Sequence, residues 1–168
     1  IYPSFLLISL FGLHIIKVIF LKRKSHYLYI LSLILILPTI FWMFKNHPFQ
    51  NIYFNLLAGK NFNEKFEMDY FGTSNKKALE YIAAKENKKV KIYSLSTTDL
   101  NLSKKIIDKE MREKIDIAYD INNADYIVNN YRDWSGEIDP TNFKVPENFK
   151  ILYEIKVDGV PINTIYKK

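Results

Sequence analysis

The chain has 168 residues, no cysteine, 48% hydrophobic residues and a formal net charge of +6; that suits one modest domain with an appendage and excludes a disulfide framework or a thiolate metal site. All 18 Asp and Glu lie after residue 44, while only Lys17, Lys22, Arg23 and Lys24 of the 24 Lys and Arg lie before it. The remainder is therefore nearly neutral, and the basic balance belongs to one short loop. That argues against a nucleic-acid partner, which needs positive charge clustered on one face.

The sequence opens on Ile1, already apolar and without a basic leader, and reads as a fragment of something longer. Residues 1–21 carry no carboxylate and as a helix would reach about 31 Å; residues 27–44, YLYILSLILILPTIFWMF, carry no charge and would cover roughly 27 Å. Both are expected to be transmembrane helices, with Lys17 snorkelling, His14 near the midplane and Pro38 kinking the second. The intervening LKRKSH places its loop in the cytoplasm by the positive-inside rule, so the rest of the chain is expected to be extracytoplasmic.

Residues 45–74 read as an interfacial joint, with Phe49, Tyr53 and Phe54 as an aromatic belt at a lipid surface. Within it, FEMDYFG alternates Phe66, Met68 and Tyr70 with Glu67 and Asp69. Period two predicts a strand with both carboxylates on one face, an arrangement suited to acid–base work or a divalent ion but equally to any half-buried strand.

Residues 75–168 read as a small α/β domain. Thr73 or Ser74 is expected to cap a helix with Ala78, Leu79, Ile82 and Ala83 as its apolar stripe. VKIYSL follows as a strand, and a second helix, starting at Asp99 or Ser103, carries Ile106, Ile107 and Met111. Residues 115–119 and 125–129 give two more strands, the latter central, in a mixed sheet. Asp158-Gly159 predicts a type I′ hairpin pairing Val157 with Val160, Ile155 with Ile162, Tyr153 with Thr164 and Ile151 with Tyr166, with Pro161 on an edge strand. The predicted fold class is thus a transmembrane helical hairpin followed by a small α/β domain with a mixed sheet and a C-terminal β-hairpin.

The three histidines have no metal-ligand spacing, and no phosphate-cradling loop or nucleophile motif is present, so no cofactor is evident. In NNYRDWSGEIDP, Tyr131 and Trp134 offer flat apolar faces beside Arg132 and Asp133. Such a loop suits a sugar or lipid headgroup, or seats the domain on the membrane.

The stretches HPFQNIYFNLLAG, FEMDYFGTSNKKALEYI, ADYIVNNYRDW and ILYEIKVDGVPINTIYKK resemble the C-terminal region of bacterial multi-pass glycosyltransferases of family 39, the protein O-mannosyltransferase and aminoarabinose-transferase type, from about His47 to the end. The resemblance implies an integral enzyme of the GT-C class in the bacterial cell membrane, taking sugar from a polyprenyl-phosphate carrier and transferring it to an extracytoplasmic acceptor. It implies catalytic acidic residues in a first outer loop that has no counterpart here. The catalytic residues are thus expected outside this sequence, and any divalent metal with them. Membrane lipid and the polyprenyl-phosphate-linked sugar are the expected partners. Glu67, Asp69, Tyr131, Arg132 and Trp134 are the substrate-contact candidates, chosen from their chemistry. The alternative is a non-enzymatic, membrane-anchored binding or assembly module.

Overall fold

The apolar first quarter folds as two helices, α1 (Tyr2–Phe20) and α2 (His26–Lys45), in the computed structural model, which describes residues 2–20, 26–54, 58, 62–133 and 143–168. Among the described residues no helix is long and apolar enough to cross a membrane, so the transmembrane hairpin expected from residues 1–21 and 27–44 is corrected. Lys17 falls inside α1, and Pro38 and Thr39 fall inside α2. The LKRKSH loop, on which the orientation rested, lies at 21–25 outside the described residues.

The chain divides into two compact units, Ile1–His47 and Pro48–Lys168. In the second, a turn of 3₁₀ helix at Gln50–Ile52 buries Phe49 and Ile52. Phe49 is therefore a core residue and not part of an aromatic belt; the Lys77 ammonium lies 4.9 Å from its ring centroid. Phe54 instead stacks on Phe66, centroids 5.1 Å apart.

The segment FEMDYFG is not a strand. A 3₁₀ turn at Phe62–Glu64 runs into consecutive turns before α3 (Thr73–Lys85), so the same-face argument for Glu67 and Asp69 does not hold. The cause is Gly72: its φ of 64° lets the chain reverse and bring Asp69 back onto the start of α3. Ala78, Leu79, Ile82 and Ala83 are fully buried along α3, as a 3.6-residue period requires.

After β1 (Val90–Ser94), Asp99 caps α4 (Leu100–Lys105) by accepting from the Asn101 amide at 2.8 Å. The single second helix expected from the sequence is broken: α4 ends at Lys105 and α5 (Lys109–Glu113) starts anew, with the Arg112 guanidinium bridging the break to the Lys105 and Ile107 carbonyls at 2.8 and 2.9 Å. The strands β2 (Ile115–Ala118), β3 (Tyr126–Asn129), β4 (Lys150–Val157) and β5 (Val160–Lys167) complete a five-stranded sheet of order β2-β1-β3-β5-β4. β1 is parallel to β2 and β3, while β5 runs antiparallel to β3 and β4, so the sheet is mixed.

One face of the sheet packs Ile127 with Ala124 and Phe149, joined by Tyr93, Val145 and Tyr166. The other meets α3, whose Ser74 and Asn75 bond Asn163 of β5. Asp158 (φ 49°) and Gly159 (φ 85°) form the tight β4–β5 turn. Val157 faces Val160 and Ile151 faces Tyr166 as the alternation predicts, but between them Ile155 faces Asn163 and Tyr153 faces Ile165. Two compensating bulges shift the middle of the hairpin by one residue. The edge strand is β4, not β5; Pro161 is tolerated because β3 pairs only with Thr164 onward, so among the described residues the start of β5 is flanked by β4 alone.

Candidate functional site

The polar centre of the second unit forms where the start of α3, the ends of β1 and β3, and the middle of β5 meet. Asp69 is 1% exposed, and its carboxylate accepts four hydrogen bonds: from the Thr73 amide (2.8 Å) and hydroxyl (2.7 Å), and from the Ser74 amide (2.9 Å) and hydroxyl (2.5 Å). A carboxylate bonded to the first free amides of a helix satisfies orphan donors and lies at the positive end of the helix dipole.

From there the hydrogen bonds have a direction. Ser74 gives its proton to Asp69, so its oxygen can accept, and it takes one amide hydrogen of Asn163 at 2.8 Å. The other goes to Asn75 Oδ1 at 2.8 Å. Asn75 in turn donates to Thr98 Oγ1 (2.9 Å), Thr98 donates to Asn130 Oδ1 (2.9 Å), and Asn130 donates to the Asp69 carbonyl (3.0 Å). Both arms start at Asn163 and end on Asp69. Asn163 is wholly buried; with both hydrogens used, its Oδ1 has no partner among the described residues, and neither has Asn129 Nδ2 on the neighbouring strand.

Beside this network, Tyr131 adopts φ 60°, a left-handed conformation uncommon for a non-glycine residue. Its amide donates to Asn129 Oδ1 at 2.9 Å, and its hydroxyl meets Thr164 Oγ1 at 2.5 Å. The neighbouring Tyr166 phenol is pushed up to about 12, first by burial and then by Tyr131. Arg132 donates to the Tyr70 carbonyl at 2.7 Å while its guanidinium lies 3.8 Å over the Tyr70 ring.

A second polar group forms where α3 ends. Glu86 accepts from the Tyr126 hydroxyl and from Lys167 Nζ, the latter at 2.9 Å. Those two bonds, the tyrosine's foremost, hold its carboxyl below the usual range. Burial, then Glu86, pushes the Tyr126 phenol up, and bonding to Tyr126 and Glu86 raises the Lys167 ammonium.

Of the residues singled out by the sequence, Asp69, Tyr131 and Arg132 thus lie in one connected region, linked through Asn129 and Asn130. Glu67 sits half-buried in the turn and makes no bond into the network among the described residues; Trp134 lies outside them. The network's other members, Asn75, Thr98, Asn130 and Asn163, escaped the sequence reading. Their one local signal is an asparagine interrupting an apolar alternation, at Asn163 between Ile162 and Ile165. Among the described residues no three His, Cys, Asp or Glu side chains gather as a metal would require.

Compared with known proteins, the chain matches no family model, no curated protein and no solved structure.

Proposed function

We propose that the chain is the C-terminal part of a glycosyltransferase that moves sugar from a polyprenyl-phosphate donor to an acceptor on the extracytoplasmic side of a bacterial cell membrane, with Pro48–Lys168 as a non-catalytic module of that enzyme. One observation supports this reading above the others: the stretches that carry the resemblance meet in space. DYFGTSN supplies Asp69, Ser74 and Asn75, VNNYR supplies Asn130 and Arg132, and the closing hairpin supplies Asn163, all within one bonded region. HPFQN adds the buried Phe49 beneath Lys77 of the same helix, α3. Separated segments that share one constellation are what a family-specific module needs. No residue here is given a catalytic role.

The test is transfer of radiolabelled sugar from polyprenyl-phosphate donors in membranes from cells carrying or lacking the encoding gene. Gene-dependent labelling of an acceptor is expected. Its absence across mannosyl, glucosyl and aminoarabinosyl donors would overturn the transferase.

A second reading, a non-enzymatic binding module, is favoured by the state of Asp69. All four of its bonds are structural, and it is the one fully buried carboxylate among the described residues. Saturable glycan binding by the chain, without gene-dependent transfer, would decide for the module.

A further inference from the structure

One surface motif lies outside both polar groups. In the run Asp99-Leu100-Asn101-Leu102-Ser103, Asn101 stands two residues before a hydroxyl with no proline between them, and of the asparagines in the 168 residues it alone does so. That spacing is what N-linked sugar transfer reads: a carboxamide to be modified, and a hydroxyl at the second position after it. The fold presents the motif outward. Asn101 lies at the start of α4 and is exposed, Leu102 is 63% exposed, and of the five residues only Leu100 is buried. Asp99 Oδ1 accepts from the Asn101 amide at 2.8 Å and from its Nδ2 at 3.0 Å, so the carboxamide is held at the surface through one of its two hydrogens. A carboxylate bonded to that hydrogen polarises the amide and draws electron density onto the nitrogen.

We propose that Asn101 is an N-glycosylation site, taking an oligosaccharide from a polyprenyl-diphosphate donor by the action of a separate oligosaccharide-transferring enzyme. In the transfer, Asn101 Nδ2 forms a bond to the anomeric carbon of the sugar and the bond from that carbon to the diphosphate oxygen breaks. The polyprenyl diphosphate leaves with the electron pair, and the proton lost from Nδ2 passes to a base of the transferring enzyme. Within a helix, side chains two residues apart point about 200° away from each other, so the hydroxyl of Ser103 meets the carboxamide only when the first turn of α4 opens. Six residues with a single buried anchor, Leu100, open at little cost, because a helix this short has no stability of its own. Once attached, the sugar lies beside Leu102 and Ile106, 63% and 64% exposed and one turn apart, and shields that apolar pair from water. The inference rests on the extracytoplasmic placement in the reading above, but not on any transfer activity of the chain, which is here the acceptor.

The test is mass spectrometry of the intact chain purified from membranes of the cells that naturally encode it. Trypsin cleavage at Lys91 and Lys104 releases residues 92–104, and electron-transfer fragmentation separates a sugar on Asn101 from one on the hydroxyls of the same peptide. A saccharide on Asn101 is expected, lost in Asn101→Gln and in Ser103→Ala and kept in Ser103→Thr. An unmodified Asn101, a sugar on serine or threonine in its place, or modification that survives Ser103→Ala overturns the site. The chain has no cysteine, so Tyr119→Cys, at a position 90% exposed, reports the side of the membrane when whole cells are treated with an impermeant maleimide. An unmodified Asn101 in a chain that labels in whole cells removes this inference alone. An unmodified Asn101 in a chain that labels only after lysis removes the extracytoplasmic placement, and the transferase reading with it. A modified Asn101 without gene-dependent sugar transfer keeps this inference and removes the transferase.

Discussion

Replacing Asp69 separates a structural carboxylate from a chemical one. Asp69→Ala strips the partners from two donors at exposed Thr73, which water can replace, and from the amide and hydroxyl of Ser74, which is 0% exposed. Leaving those two buried donors unmade costs about 1–3 kcal/mol each, and loss of the helix cap about 1 kcal/mol, so a total near ~4 kcal/mol is expected. Asp69→Asn keeps one acceptor oxygen but turns an NH2 toward one pair of donors; about 2 kcal/mol is expected. Urea unfolding of the intact chain, followed by circular dichroism at 222 nm, reads both values, and an unchanged m-value ensures that the same unfolding is compared. Glu67→Gln, at a turn position outside the network, should stay within about 0.5 kcal/mol of wild type. A residue held for chemistry at the expense of stability behaves oppositely: its removal is neutral or stabilising. If Asp69→Ala moved stability by less than about 1 kcal/mol, the directed network would not be what holds α3 to the sheet.

Gly72→Ala should destabilise by about 2 kcal/mol in the same assay, because the residue sits at φ 64° and a Cβ would meet Asn75 Nδ2 at 2.9 Å and Thr98 at 3.1 Å. Leu79→Ala, at a fully buried position on α3, should cost about 2–5 kcal/mol and leave the tyrosine titration unchanged. In alkali, one tyrosine should ionise near 12 by absorbance at 295 nm, and Tyr166→Phe should remove it; because its folded value lies above its unfolded one, the linked stability holds below pH ~10 and is lost as pH rises toward 12. In acid the sign reverses at Glu86, whose folded value is lowered. Its contribution is present above the ordinary glutamate range and is lost as pH falls through that range, so Glu86→Gln should flatten this part of the pH–stability curve.

Local chemistry was legible in the sequence wherever one or two residues decide the backbone. Asp158-Gly159 fixed the hairpin turn, and the four apolar positions from Ala78 to Ala83 set the buried face of α3. Periodicity failed over FEMDYFG because five alternating residues fit a strand as well as a turn; Gly72 lets the chain reverse, and the turn is fastened from 61 residues on, where Asn130 donates to the Asp69 carbonyl. The asparagine links span 23 to 89 residues, so no short window of the sequence contains them. In the first quarter, composition located both helices, but among the described residues neither is long and apolar enough for a span.

The bulged hairpin explains how such a network can be reached at all. In the uninterrupted register predicted by alternation, Ile162 would stand opposite Ile155. The observed register puts Asn163 there, beneath Ser74 and Asn75, and leaves Thr164 to meet the Tyr131 hydroxyl from the other face. One bulge on β5 and a compensating one on β4 make that exchange without moving either end of the hairpin, since Val157 still faces Val160 and Ile151 still faces Tyr166. One of the two bulges falls on the edge strand β4, where it discourages pairing with another chain together with Lys150 and Lys156. The hairpin therefore gives up ideal apolar pairing for a buried polar anchor, an exchange that general stability does not require, and this is why the Asn163 position carries more information about the role of the module than its apolar core does.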